Sequence, residues 1–236
     1  MLMRKKDWFS VFNLPASDHD AAAAMARALE VSAGMMHKTD IESLAALLAW
    51  RKPKRVFEIG TYKGASSDLF LTLLPQAQVI SIAFVQDLGL GGRYNNDDLP
   101  PDQVGALVSP ENRPRFTQLI GDSHAINPAD FIRTHGRMDL VFIDADHSRK
   151  GVSQDTDLAH AILAPGGAIA WHDANPKRKY LGSRLFLEED MPQLALATED
   201  DYIGGVACWT AALERQLRGA SKPTTAARKP KVTTRP

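Results

Sequence analysis

The stretch RVFEIGTYKGASS, residues 55–67, decides the fold. Val56, Phe57 and Ile59 make a short apolar run that ends at Gly60. A second glycine, Gly64, precedes ASSDLFLTLL, which reads as a helix stopped by Pro75. A brief apolar run ending in glycine is the pattern of a buried strand turning tightly into a helix. Gly60 lets the backbone turn sharply, and Gly64 lets the helix begin close to a ligand with no Cβ between them. A dinucleotide enzyme would carry G-x-G-x-x-G, with a pyrophosphate on the helix N-terminus. Here the spacing is G-x-x-x-G with Tyr62 inside it, and Glu58 puts a carboxylate beside the same loop, where it would repel phosphate. The loop suits a ligand with a cationic or zwitterionic group.

The same alternation continues on both sides. Upstream, KTDIESLAALLAW has Ile41, Leu44, Leu47 and Leu48 at helical spacing, with Asp40 placed as a cap. Downstream, AQVISIAF, RFTQLIGD, MDLVFIDAD and GGAIAWHD read as strands, and SQDTDLAHAILAPGG as a helix with a Pro-Gly-Gly stop. LALATED and GGVACWT make a late strand pair with no room for a helix between them. Alternating strands and helices imply an α/β fold, a doubly wound Rossmann-like sheet with mostly parallel pairing. Near-continuous apolar strands fit a sheet covered on both faces, a three-layer α/β/α arrangement. The late pair predicts an antiparallel hairpin at one edge. The expected organisation is an N-terminal helical or lid segment over 1–39, one domain over 40–219, and a disordered tail over 220–236. That tail is basic, rich in Pro and Thr, and too poor in apolar groups to order itself.

Composition narrows the partners. Lys plus Arg number 28 and so do Asp plus Glu, so no net field draws in nucleic acid or an anionic membrane. A lone cysteine, Cys208, rules out a disulfide or a cysteine metal cluster within the chain; in GGVACWT it reads as a small buried residue. The basic and apolar N-terminus is too short in its apolar part, and too broken by Asp7 and Asn13, for a signal peptide. No apolar run approaches membrane-spanning length. The expected setting is the cytoplasm. A small molecule is the expected partner, and a homo-oligomer is open.

Open parallel sheets bind ligands beyond the carboxyl ends of their strands. Here those ends carry EIGTYKG, AFVQD, GDSH, IDADH and WHDAN, so polar and glycine residues collect at one rim. In the expected topology the fourth and fifth strands are neighbours, which would bring Asp144, His147, His172 and Asp173 together. Carboxylates and imidazoles of this kind suit Mg²⁺, Mn²⁺ or another divalent cation. Asp146 reads as a cap for the following turn. The long loop from 85 to about 103, with Trp8, Phe9 and Phe12, would wall an acceptor pocket.

VFEIGTYKGASS, GDSH, DLVFIDADHS and ILAPGGAIAWHDA, in this order and spacing, resemble the class I S-adenosylmethionine-dependent methyltransferases. They are most similar to the small O-methyltransferases, including the metal-dependent catechol and natural-product sugar types. The likeness spans about residues 40 to 210 and implies a seven-stranded sheet with a reversed last strand. It also implies that Glu58, Gly60, Thr61, Gly64 and Ser66 surround the methionine part of S-adenosylmethionine. Asp122 and Ser123 would lie beside adenine, and Asp144 between cofactor and acceptor. His147, three residues after Asp144, stands where sugar-type relatives place a base. Asp144, His172 and Asp173 are the candidate metal set, although Asp173 is followed by Ala174 where the catechol type has asparagine. One position departs from the pattern: the second strand ends at Ala83, where an acid would bind the ribose hydroxyls, and the nearest carboxylate is Asp87. Losing such a partner costs about 1.5–3 kcal/mol. The resemblance leaves two activities open, methyl transfer to a hydroxyl of a small molecule and a degenerate cofactor-binding protein with a regulatory role.

Overall fold

The computed structural model describes residues 3–4, 36–84, 99–174, 181–191, 195–198 and 205–220. Asp87, the N-terminal aromatics and residues 221–236 of the basic tail lie outside these residues. The strands are β1 (Met3–Arg4), β2 (Arg55–Ile59), β3 (Gln78–Ala83), β4 (Phe116–Ile120), β5 (Met138–Ile143), β6 (Leu163–Trp171), β7 (Ala195–Thr198) and β8 (Val206–Thr210). The helices are α1 (Lys38–Arg51), α2 (Ala65–Leu73), α3 (Pro128–His135), α4 (Arg149–Ile162), α5 (Leu181–Glu189) and α6 (Ala211–Ala220).

All eight strands among the described residues join one sheet, in the order β1-β7-β8-β6-β5-β2-β3-β4. The expected number was seven; Met3–Arg4, pairing parallel with β7, adds the eighth. A two-residue strand carries no apolar run by which a sequence could announce it. Pairing is parallel except at β8, which runs antiparallel to both β6 and β7. The late hairpin is therefore present, with its reversed strand inserted between β6 and β7.

Side-chain alternation along the strands splits the core between two faces. On one, Val56, Leu140, Phe142, Ala168 and Ala170 pack with Ile41, Leu44 and Leu47 of α1 and Phe70 of α2. On the other, Phe57, Ile59, Val141, Ile143 and Trp171 pack with Phe131 of α3, Val152 and Leu158 of α4, and Phe186 of α5. One difference from the sequence reading concerns the Pro-Gly-Gly stretch. Helix α4 ends at Ile162 and β6 starts at once, with Leu163 opposite Met138; the register then jumps to Ala168 opposite Leu140. Residues 164–167 are thus an irregularity within β6, a place where proline and glycine are tolerated in a strand.

Glu58 is the exception to the apolar pattern of β2. It is fully buried. Ser66 and Ser67 of the first turn of α2 each donate a hydroxyl to its carboxylate, and Ser81 of β3 donates at 2.6 Å. Ser81 also shares a 2.6 Å hydrogen bond with Thr61, which accepts from the Gln118 amide at 2.8 Å. Three strands and the glycine loop are thus stitched through one carboxylate. Asp68 of α2 secures the segment between β3 and β4, accepting from the Ser109 amide at 2.9 Å and from Asn112 Nδ2 at 2.7 Å. That segment straps the loop, with Gly105 N–H donating to the Tyr62 carbonyl at 2.9 Å. No helix among the described residues is long and apolar enough to cross a membrane.

Burial raises the Glu58 carboxyl, the three serine hydroxyls lower it and Asp144 raises it, leaving it at about 7 against an ordinary 4.5. A carboxyl whose folded value is raised lends its stability fully below pH 4.5 and loses it as pH climbs towards 7. The loss across that window is about 3 kcal/mol. Urea unfolding of Glu58→Gln should therefore gain on the wild type between pH 5 and pH 8; a difference independent of pH contradicts the raised carboxyl.

Candidate active site

The strand ends meet through their backbones. Asp144 N–H donates to the Ile59 carbonyl at 2.8 Å, and His172 N–H donates to the Ile143 carbonyl at 3.0 Å. The ladder thus runs one residue past β2, β5 and β6 and fixes where their strand-end residues start. Gly60 has φ +108, and a Cβ on it would lie 2.0 Å from the Asp144 carbonyl oxygen. Only glycine lets the loop cross the end of β5 at that distance.

The loop residues assigned to the methionine side separate into two groups. Gly60 and Gly64 shape the backbone; Gly64 stands before α2 and its N–H donates to the Thr61 carbonyl at 2.8 Å. Glu58, Thr61 and Ser66 are buried and hydrogen-bonded inside the loop's base. Tyr62, with φ +46, is the loop's exposed side chain.

At the end of β4, Asp122 accepts from the His124 amide at 2.9 Å and caps the short helical turn 123–125. Ser123 donates to Asp155 Oδ1 at 2.7 Å. Asp155, on α4, is wholly buried, and burial outweighs the Ser123 hydrogen bond and the charge of His124 to bring its carboxyl to about 6. Sequence reading missed Asp155. The available signal was an acid on the inward face of a helix, in SQDTDL. Ala83 ends β3, and its carbonyl accepts from Gly121 N–H at 2.9 Å.

At the ends of β5 and β6 acids and histidines converge. His172 Nδ1 lies 3.2 Å from Asp144 Oδ1 and 3.5 Å from Asp173 Oδ2. Its Nε2 lies 3.1 Å from Asp40 Oδ2. His147 Nδ1 lies 3.3 Å from Asp173 Oδ2. Burial depresses the His172 imidazole, but Asp144, with hydrogen bonds to Asp144, Asp173 and Asp40, holds it well above the usual histidine value. Burial raises the Asp144 carboxyl, but His172 and then His147 bring it below the usual aspartate value. Asp173 has φ +51, a left-handed conformation that a non-glycine residue keeps only where its surroundings enforce it.

One ligand atom each from Asp144, His147 and Asp173 falls within 4.8 Å of the others. Two carboxylates and an imidazole so placed fit a divalent cation that prefers oxygen and nitrogen donors. His172, expected in that set, has both ring nitrogens against carboxylates, with Asp40 on its far side. Asp146 serves the turn, accepting from the Ser148 amide at 2.8 Å, and Ser148 caps α4. The loop bearing His147 rests on α5: a Cβ on Gly182 would lie 2.4 Å from Arg149 N and 2.7 Å from the His147 carbonyl oxygen.

A family model described as a methyltransferase domain matches residues 57–174, half of the chain. Among solved structures, cofactor-bound Rv0187 from MTB is 20% identical, with a TM-score of 0.51 over 86% of this chain and 94% of that one. The O-methyltransferase TomG from Streptomyces achromogenes, in complex with SAM, is 17% identical, with a TM-score of 0.50 over 88% and 99%. An O-methyltransferase from Bacillus cereus in complex with SAH is 16% identical, with a TM-score of 0.50 over 86% and 98%. Glycine loop, strand-end acids and reversed strand agree with the family match, and the chain belongs to the class I S-adenosylmethionine-dependent methyltransferases.

Proposed function

We propose that the protein transfers a methyl group from S-adenosylmethionine to a hydroxyl of a small molecule, with a divalent cation beside the acceptor and His147 taking its proton. The observation that carries this reading is the meeting of Asp144, His147 and Asp173 at the ends of β5 and β6, next to the glycine loop.

The reaction forms an O–CH3 bond and breaks the S–CH3 bond, leaving a neutral thioether. The acceptor's proton must leave for a base. His147 is 29% exposed and oriented by Asp173 through Nδ1, so its imidazole can face an acceptor from the rim. Asp144 and Asp173 would hold the cation, which when bound would lower the pKa of an acceptor hydroxyl and orient it. Asp144, below the ordinary aspartate range, is available as a carboxylate for that purpose. On the cofactor side, Asp122 and Ser123 would lie beside adenine, and a residue other than Ala83, with Asp87 the nearest acid in sequence, would meet the ribose.

A second reading makes His147 the third ligand, favoured by its place in the 4.8 Å group. The two separate in one variant. His147→Ala should keep Mn²⁺ binding within a few-fold and lose 10²-fold or more in methylation of a panel of phenolic and sugar acceptors, in line with removal of a general base. Loss of Mn²⁺ binding instead makes His147 a ligand. Titration calorimetry with S-adenosylhomocysteine tests the cofactor, and no binding at hundreds of micromolar sinks the reading. Ala83 favours a further alternative, a protein that binds the cofactor without turnover; binding with an inactive acceptor panel would select it. Gly182→Ala should lower turnover by displacing the His147 loop while leaving S-adenosylhomocysteine binding near wild type. Equal turnover would show that the loop tolerates the shift.

A further inference from the structure

Asp40 lies on α1, 104 positions before Asp144, and belongs to none of the strand ends. Its side chain has no exposure to solvent. Oδ2 faces His172 Nε2 at 3.1 Å, and Oδ1 accepts from Gly205 N–H at 2.9 Å. Gly205 is the residue before β8, and its carbonyl accepts from Ala174 N–H at 3.2 Å. Two paths therefore run from one carboxylate to the rim. One passes through the His172 ring to Asp144 and Asp173. The other passes through Gly205 to the peptide that follows Asp173, the residue held at φ +51.

A buried carboxylate is costly unless it is paired and hydrogen-bonded, and here each oxygen has its partner, His172 and the Gly205 amide. As a helix cap Asp40 is superfluous, because the His37 side chain already accepts from the Thr39 amide at the start of α1. Replacing Asp40 by a smaller residue would leave both Gly205 N–H and one ring nitrogen of His172 without their partner. The ring could then turn about its side-chain bonds and take Nδ1 away from Asp144.

We infer that Asp40 is a positioning residue: it clamps the His172 ring, and through that ring and Gly205 it fixes the two strand-end carboxylates, Asp144 and Asp173, in the arrangement the reaction uses. The inference rests on the reading of this rim as the methyl-transfer site. In ligating histidines, a partner on the second ring nitrogen sets orientation, and its loss costs 10–100-fold in metal affinity. Here the ring stands one step further out, between a helix acid and the carboxylates themselves.

Two measurements on the full chain test it. The first is proton–nitrogen NMR of the imidazole N–H groups, with His172 assigned by the signals that vanish in His172→Gln. Wild type should show protected signals for both ring nitrogens. Asp40→Ala should lose the Nδ1 signal as well as the Nε2 signal, although residue 40 touches only Nε2. Asp40→Asn preserves shape and offers a donor to Nε2, so it should keep the Nδ1 signal and lose the Nε2 signal. A folded Asp40→Ala with an intact Nδ1 signal overturns the proposal. So does Asp40→Asn with both signals unchanged, which covers the case of an alanine variant that does not fold. The second measurement is Mn²⁺ binding followed by the EPR of the free ion. Asp40→Ala should weaken it 10–100-fold and Asp40→Asn should restore it to within a few-fold; where the wild type binds Mn²⁺, equal binding by all three overturns the proposal. A wild type that shows the ring signals and their loss in Asp40→Ala, yet binds neither Mn²⁺ nor S-adenosylhomocysteine, sinks the methyl-transfer reading and leaves the clamp standing.

Discussion

The hydrogen bond from Asp144 N–H to the Ile59 carbonyl is the joint on which the site depends. It sits where the strand order turns: β3 and β4 lie to one side of β2, and β5, β6 and β8 to the other. A crevice opens beyond the strand ends at such a point because successive connections leave in opposite directions. Gly60 completes the joint by admitting the loop to the backbone of Asp144. Glu58 occupies the base of the loop and takes the serine hydroxyls that could otherwise turn outward.

The rim above this joint concentrates charge. Asp40, Asp144 and Asp173 surround His172, and Asp173 also meets His147. Buried carboxylates without partners would be protonated or displaced. Interleaving them with imidazoles brings Asp144 below the usual aspartate value and holds His172 above the usual histidine value. The protein's neutral overall balance hides this local pattern, because it is built from few residues.

The strands were legible because their apolar runs and terminal glycines are local signals. The strand ends were legible for the same reason: Asp144, His147, His172 and Asp173 lie within a few residues of a strand that ends. Asp40 was not legible as a member of the site. Its sequence position has a simpler explanation as a helix cap, and its partner is 132 positions away. Asp155 was hidden in the same way, on a helix whose other acid, Asp157, faces solvent. Ser66 and Ser67 read as residues of a helix start and Ser81 as part of a strand; that three hydroxyls point at one carboxylate depends on the pairing of β2 with β3. The eighth strand had too little sequence to declare itself, and Ala83 declared only what the position lacks.

The lone thiol has a use that follows from its place. Cys208 lies mid-strand in β8, paired with Ala170 of β6 on one side and Ala195 of β7 on the other, and burial pushes its thiol up to about 12. In the closed sheet it is neither accessible nor ionised, so it is chemically silent. It becomes reactive only when β8 separates from its neighbours. The chain therefore carries its own clock for the opening of the reversed strand, readable with any thiol reagent and with no label introduced.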